Sequence, residues 1–264
     1  MIKLSGIEKY FFAGTPNQVL ALDNINLQIQ RGDFLTVIGS NGAGKSTLLK
    51  AVAGVISVDA GSITIDGLDV TAHPEYMRAR DIGRIDQDPM ASTAADLSIE
   101  ENLAIAYLRG QKRGLARAVT SQRTGHFRDT LRNIGLGLED RLKVPVGTLS
   151  GGQRQALALV MATIARPKLL LLDEHTAALD PKAARQVMEI TERLVQQYNL
   201  TTLMITHNME QALRFGNRLI MMHRGRVILD ISAEEKGKLT VAALVDRFTS
   251  TSGTVFDDDR ALLA

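Results

Sequence analysis

The residues best equipped for chemistry stand in one run, Gly39-Ser40-Asn41-Gly42-Ala43-Gly44-Lys45-Ser46-Thr47, which fits the spacing G-x-x-x-x-G-K-[ST]. Its glycines let the backbone curl until successive N–H groups face phosphate oxygens, and a helix N-terminus behind them adds a favourable dipole. Lys45 is placed to reach β- and γ-phosphates, and the Ser46 hydroxyl to ligate Mg²⁺. The bland alternative is a chance glycine-rich turn before a helix. Against it stand the β-rich lead-in Leu35-Thr36-Val37-Ile38 and the helical pattern that follows. Such a loop leaves kinase, GTPase and ATPase open.

A second run narrows the choice. Leu169-Leu170-Leu171-Leu172-Asp173-Glu174 reads as an apolar strand ending in two carboxylates. Alternate strand side chains face opposite ways, so the two acids serve different purposes. Asp173 suits direct or outer-sphere Mg²⁺ coordination, and Glu174 suits polarising an attacking water. A lone surface acid at a strand end would be the ordinary alternative.

The third run is Leu149-Ser150-Gly151-Gly152-Gln153, ahead of an apolar helical stretch. Ser150 is placed to cap that helix, and the glycines expose N–H groups at its positive end. That makes a second phosphate-binding surface in one chain. A head-to-tail dimer satisfies both, each ATP lying between residues 39–46 of one copy and Ser150 to Gln153 of the other.

The elements that must hold these runs follow from periodicity. Strands are expected over 2–7, 20–29, 34–38 and 62–65, with a helix over 46–53 stopped by Gly54. Ser98 and Glu101 have capping-box spacing, so a helix starts there and runs through Tyr107 towards Gly110. Residues 109–128 read as a basic exposed loop and a helix start, a solvated surface lacking interleaved aromatics. Strand and helix then alternate: 169–172, 181–197, 201–206 and 208–215, before a strand pair around Arg224-Gly225. This predicts an α/β fold with a largely parallel sheet and a helical insertion.

Taken together, GSNGAGKST, LSGGQ and LLLLDE in this order resemble the ATP-binding cassette family over residues 2–231. The resemblance implies a P-loop NTPase core, an N-terminal antiparallel β subdomain and an inserted α-helical subdomain at about 88–166. Residues 1–248 would form one nucleotide-binding domain and 249–264 a mobile tail. It assigns Gln87 to sensing Mg²⁺ and touching a transmembrane partner, Asp180 to the loop that couples two ATP sites, and His207 to holding the γ-phosphate. The adenine would stack on one of Tyr10, Phe11 and Phe12, the spacing from Lys9 and Gly14 favouring Phe11. His175, Ala177 and Asp86 depart from the usual family residues, where proline, serine or glycine, and an apolar residue are common. DEHTAALDP, Pro74-Glu75-Tyr76 and the 110–114 loop resemble the ATPases of a bacterial importer group with tryptophan/tyrosine-type binding proteins and branched-chain-amino-acid-type permeases.

Composition sets bounds on partners. The 264 residues are 45% hydrophobic and 23% charged, with 31 Lys and Arg against 29 Asp and Glu for a net +2. That balance offers no electrostatic case for nucleic acid. The absence of cysteine removes disulfides and thiolate metal sites and suits the cytoplasm. The N-terminus lacks a secretory pattern, and the longest apolar stretch is broken by Arg166, Pro167 and Lys168. The expectation is therefore an Mg-ATP-hydrolysing protein on the cytoplasmic face of the membrane, paired with a second copy of itself and with permease subunits. A substrate-binding protein would join only through the complex. A soluble cassette ATPase of DNA repair or translation is the alternative, but such members carry paired cassettes, coiled coils or zinc-binding insertions. A P-loop kinase would leave LSGGQ unexplained.

Overall fold

The computed structural model describes residues 1–88, 90–111 and 114–252. In chain order the elements begin with β1 (Ile2–Phe11), β2 (Val19–Ile29), β3 (Phe34–Gly39), α1 (Lys45–Ala53), β4 (Ala60–Ile65), β5 (Leu68–Asp69) and α2 (Glu75–Arg78). There follow β6 (Ile82–Ile85), α3 (Ile99–Tyr107), α4 (Ser121–Arg132), α5 (Gly151–Thr163), β7 (Leu169–Asp173) and α6 (Pro181–Tyr198). The last group is β8 (Thr201–Ile205), α7 (Met209–Arg214), β9 (Arg218–His223), β10 (Arg226–Ile231), α8 (Ala233–Lys236) and α9 (Val241–Ser252). Two compact units result: Met1–Arg78 with the chain from Thr201 onward, and Ala79–Leu200.

In the first unit, β2, β1, β4 and β5 form an antiparallel sheet in that order. β3 runs parallel to both β8 and β9, and β10 closes on β9 as an antiparallel hairpin. Every residue of β3 is buried, as expected of a strand covered on both faces. α1 buries Leu48, Leu49 and Val52 and stops where Gly54 takes a left-handed conformation. Its last carbonyls are held by the buried Arg78 guanidinium, whose Nη1 donates to Ala51 O at 2.9 Å and Val52 O at 2.8 Å.

In the second unit, β6 lies parallel to β7 with Ile82 opposite Leu169 and Ile85 opposite Leu172. Leu169 to Leu172 are fully buried. The expected capping box at α3 forms, Ser98 accepting from Glu101 N–H while the Glu101 carboxylate accepts from Ser98 N–H. In the basic 109–128 stretch the regular helix begins late, at Ser121, with Thr120 accepting from Arg123 N–H.

The helical subdomain expected at 88–166 falls inside the second unit, which also takes in β6, β7 and α6. The stretch expected as a tail, 249–264, begins within α9, whose Leu244 and Phe248 pack on Met221 and Ile231. Residues 253–264 lie outside the described ones, as do Pro89, Lys112 and Arg113. Among the described residues no helix is long and apolar enough to cross a membrane.

Candidate functional site

The phosphate-loop run springs from the end of β3 and feeds α1. Ala43 is buried and anchors it, whereas Asn41 and Gly42 are exposed. Lys45 is only 7% exposed, and its Nζ donates to Gly39 O at 2.7 Å and Ser40 O at 3.1 Å. The curl therefore concentrates positive charge inside itself. Ser46 and Thr47 follow, half-buried, in the first turn of the helix. Gly44 is the N-cap, at φ 97°, and offers no side-chain acceptor, so no cap competes for the first-turn N–H groups. The glycines are also needed for space: a Cβ on Gly39 would stand 2.1 Å from Met222 O, and one on Gly44 2.5 Å from Ala21 O.

Two further candidates lie in the same unit. β8 pairs with β3 so that Ile205 stands opposite Val37, and Thr206 N–H donates to Val37 O at 3.2 Å. His207 thus leaves its strand at the carboxyl end from which the phosphate loop also leaves, the usual ligand-binding edge of a parallel sheet. It precedes Asn208, the side-chain cap of α7. Phe11 ends β1 opposite Val19, half-buried, with the Lys9 ammonium 5.9 Å from its ring centroid. Phe12 is 70% exposed, and the Tyr10 hydroxyl donates to Glu8 Oε2 at 3.4 Å. Of the three aromatics, Phe11 is the one continued into the strand ladder with a cation on its ring.

The second unit holds the carboxylates. β7 closes on Asp173, and Glu174 beyond it adopts φ 45°. A left-handed conformation at a residue other than glycine costs about 1–3 kcal/mol and turns the chain sharply at the strand end. Gln87, two residues past β6, donates through Nε2 to Glu174 Oε2 at 3.4 Å. The structure thus brings together two residues 87 positions apart in sequence. Two of the three departures, Asp86 and His175, have local partners. Asp86 pairs with Arg84 at 2.9 Å. His175 is buried, with Nε2 3.1 Å from Thr191 Oγ1. Because Thr191 gives its only proton to Val187 O, His175 must be the donor, protonated on Nε2. Burial lowers its pKa to about 4, so the ring is neutral.

The third run forms α5 with a complete capping box: Ser150 Oγ accepts from Gln153 N–H, and Gln153 Oε1 accepts from Ser150 N–H. Gly151 and Gly152 occupy the first turn, and their smallness is used. A Cβ on Gly151 would lie 3.3 Å from Leu179 Cδ2, and one on Gly152 3.0 Å from Ala183 Cβ. Asp180, between those two neighbours, caps α6 by accepting from Lys182 N–H at 3.1 Å and Ala183 N–H at 3.0 Å. The first turns of α5 and α6 are therefore packed together.

Sequence reasoning missed what stands behind the phosphate loop, because Ala21 and Met222 act through carbonyl oxygens that leave no side-chain signature. Only the Arg224-Gly225 turn hinted at it. Nor does any string announce the left-handed backbone of Glu174.

Comparison with known proteins agrees with these features. The family described as ABC transporter matches residues 22–177. A tyrosine transport ATP-binding protein of Clostridioides difficile is 42% identical over 250 residues, 94% of this chain and 98% of that protein. The methionine import ATP-binding protein MetN of Rhizobium johnstonii is 36% identical over 232 residues, covering 86% of this chain and 60% of that protein. A dimeric ATP-binding cassette solved in a post-hydrolysis state with ADP and Pi superposes with a TM-score of 0.75 at 26% identity, over 88% of this chain and 99% of that one. This chain belongs to the ABC transporter family, as an ATP-binding, ATP-hydrolysing subunit.

Proposed function

We propose that two copies of this chain close head to tail on two Mg-ATP and thereby drive a separate transmembrane permease that imports a small solute such as an amino acid. The hydrolytic part rests above all on the Gln87–Glu174 contact at the end of β7. Glu174 orients the attacking water and takes its proton, and Gln87 holds the carboxylate in place. Lys45 exchanges its loop carbonyls for β- and γ-phosphate oxygens, the N–H groups of residues 39–47 (Gly39, Ser40, Asn41, Gly42, Ala43, Gly44, Ser46, Thr47) line the phosphates, and His207 steadies the γ-phosphate. Phe11 stacks on adenine. Ser150, Gly151, Gly152 and Gln153 of the other copy close over the same γ-phosphate, with Asp180 in the loop that couples the sites.

Mg²⁺ fits the residues offered to it: the Ser46 hydroxyl, the Gln87 amide oxygen and the Asp173 carboxylate are all hard oxygen donors. Among the described residues no group of three or more His, Cys, Asp or Glu could hold a metal. A small oxygen-donor set completed by phosphates and water is how Mg²⁺ is commonly bound. When bound, the ion would neutralise charge building on the phosphate oxygens.

The importing role is supported by the near full-length likeness to a tyrosine transport ATP-binding protein. It would place the chain peripherally, on the cytoplasmic face of the membrane, with a substrate-binding protein reached only through the permease. Affinity purification of the tagged full chain from detergent-solubilised native membranes, followed by mass spectrometry, tests this. Recovery of a multi-helix permease is expected. A reproducible soluble partner and no permease, from protein shown to hydrolyse ATP, would overturn the transport role.

A further inference from the structure

We infer that the turn between β9 and β10 is a positioning element for the phosphate loop, and that Gly225, steadied by Asp23 and Arg226, sets ATP affinity from behind that loop. The inference rests on the phosphate-loop reading above and concerns only the first unit. Gly225 N–H donates to Ala43 O at 3.0 Å, and Gly225 O accepts from Asp23 N–H at 2.9 Å. Arg226 Nε then donates to the Asp23 carboxylate at 2.6 Å. The turn is thus threaded between β2 and the loop, with one backbone hydrogen bond to each. The carbonyl of Met222 in β9 occupies the space a Cβ on Gly39 would need, and the carbonyl of Ala21 in β2 does the same at Gly44. The loop is backed at its first glycine, at its buried alanine and at its last glycine.

The Ala43 contact has a directional effect. In a trans peptide the C=O and the following N–H point opposite ways. Fixing Ala43 O on Gly225 therefore aims the Gly44 N–H away from the turn, towards the side of the loop that phosphate must approach. Gly225 needs to be glycine for this: it sits at φ 78°, and a Cβ would lie 3.0 Å from Ala21 O. β2 extends the same support to the other end of the nucleotide, since its first residue, Val19, pairs with Phe11. One strand thereby ties the aromatic, the turn and the loop together. Arg226 is 68% exposed at its side chain, so its ion pair is a modest contributor and the backbone contact carries most of the effect.

The hairpin supplies its own control. At its far end, away from the turn along β9 and β10, Arg218 donates to Gln28 O at 2.6 Å and pairs with Asp230. Loosening that end destabilises the hairpin while leaving the Ala21, Met222 and Gly225 contacts with the loop in place.

The test compares full-length wild type, Gly225→Ala, Arg226→Glu, Arg218→Ala and Lys45→Ala. For each, the Kd for ATP is measured by displacement of a fluorescent ATP analogue, amide exchange over 40–46 well below Tm, and Tm itself. Gly225→Ala should raise the Kd about five- to tenfold, because a turn that relaxes its left-handed alanine in the free protein must recover that strain to hold the loop for ATP. Its 40–46 amides should exchange faster. Arg226→Glu, which sets like charges together and keeps the turn's glycine, should raise the Kd about threefold. It remains a test should Gly225→Ala fail to fold. Arg218→Ala should lower Tm while the Kd stays within about twofold, in line with a remote structural change. Equal Kd effects for both ends of the hairpin, or unchanged exchange over 40–46 in the turn variants, would overturn the inference. A Lys45→Ala protein that binds ATP like wild type would instead sink the phosphate-loop reading itself.

Discussion

Two glycine-rich helix starts in this chain look alike as strings and are built in opposite ways. At α1 the N-cap is a left-handed glycine with no side-chain acceptor, and a buried lysine ammonium stands inside the curl. At α5 the N-cap is Ser150, closed into a reciprocal box with Gln153. The first start lacks a side-chain cap and carries a buried positive charge, which suits it to an anion. The second is capped by its own side chains and opens on two glycines and a glutamine, so it offers a preorganised surface more than a pocket. Two helix dipoles are equal in principle; what surrounds the first turn decides whether phosphate is held or merely faced.

Several substitutions would break or sharpen that contrast. The largest effect is expected for Glu174→Gln, which belongs to neither helix start and separates binding from chemistry. Losing the base should lower kcat about 10²–10⁴-fold with the ATP Kd almost unchanged. Steady-state phosphate release beside equilibrium ATP binding reads this, and hydrolysis near wild type would remove Glu174 from its role. Next is Lys45→Ala at the open start, which should weaken ATP binding itself about 10- to 100-fold, the worth of a charge-assisted contact. Ser150→Ala at the capped start should do the reverse. It costs about 1 kcal/mol of helix capping, lowers Tm and slows hydrolysis, yet leaves the ATP Kd of the single chain intact. A large loss of single-chain affinity in Ser150→Ala would erase the distinction between the two starts.

The smallest effect concerns pH. His175 has its pKa lowered to about 4 by burial, so the unfolded chain accepts a proton that the fold refuses. Stability from the neutral ring is complete above the ordinary histidine pKa and is lost as pH falls from about 6.5 towards 4. By pH 5 this amounts to about 2 kcal/mol. Thermal melts at pH 7 and pH 5 should therefore show a smaller acid loss for His175→Asn, which keeps a donor near Thr191, than for wild type. Equal losses would show that His175 does not carry the acid sensitivity.

Contiguous features were legible in the sequence. The loop at 39–47, the strand ending in Asp173 and Glu174, the cap at Ser150, the box at Ser98 and Glu101 and the stop at Gly54 are all set by neighbours a few residues away. What depended on distant partners was not. Leu244 and Phe248 are sparse apolar positions whose meaning comes from Met221 and Ile231, so α9 is not legible as a helix and the boundary expected at 248 falls inside it. Gln87 could be assigned by family likeness, but its hydrogen bond to Glu174 needs β6 and β7 side by side. His175 stood out as a departure where proline is common, and only its burial beside Thr191 gives it a physical reason. The backing of the phosphate loop is made by carbonyls and one glycine turn, which no residue pattern encodes.

The most direct test of the central claim, that the open start of one copy and the capped start of another share one ATP, is sedimentation velocity of the Glu174→Gln protein with and without Mg-ATP. The sedimentation coefficients should give a monomer alone and a dimer with ATP, and adding Ser150→Arg should abolish the dimer while equilibrium ATP binding persists. A monomer saturated with ATP, or an ATP-dependent dimer indifferent to Ser150→Arg, would contradict it.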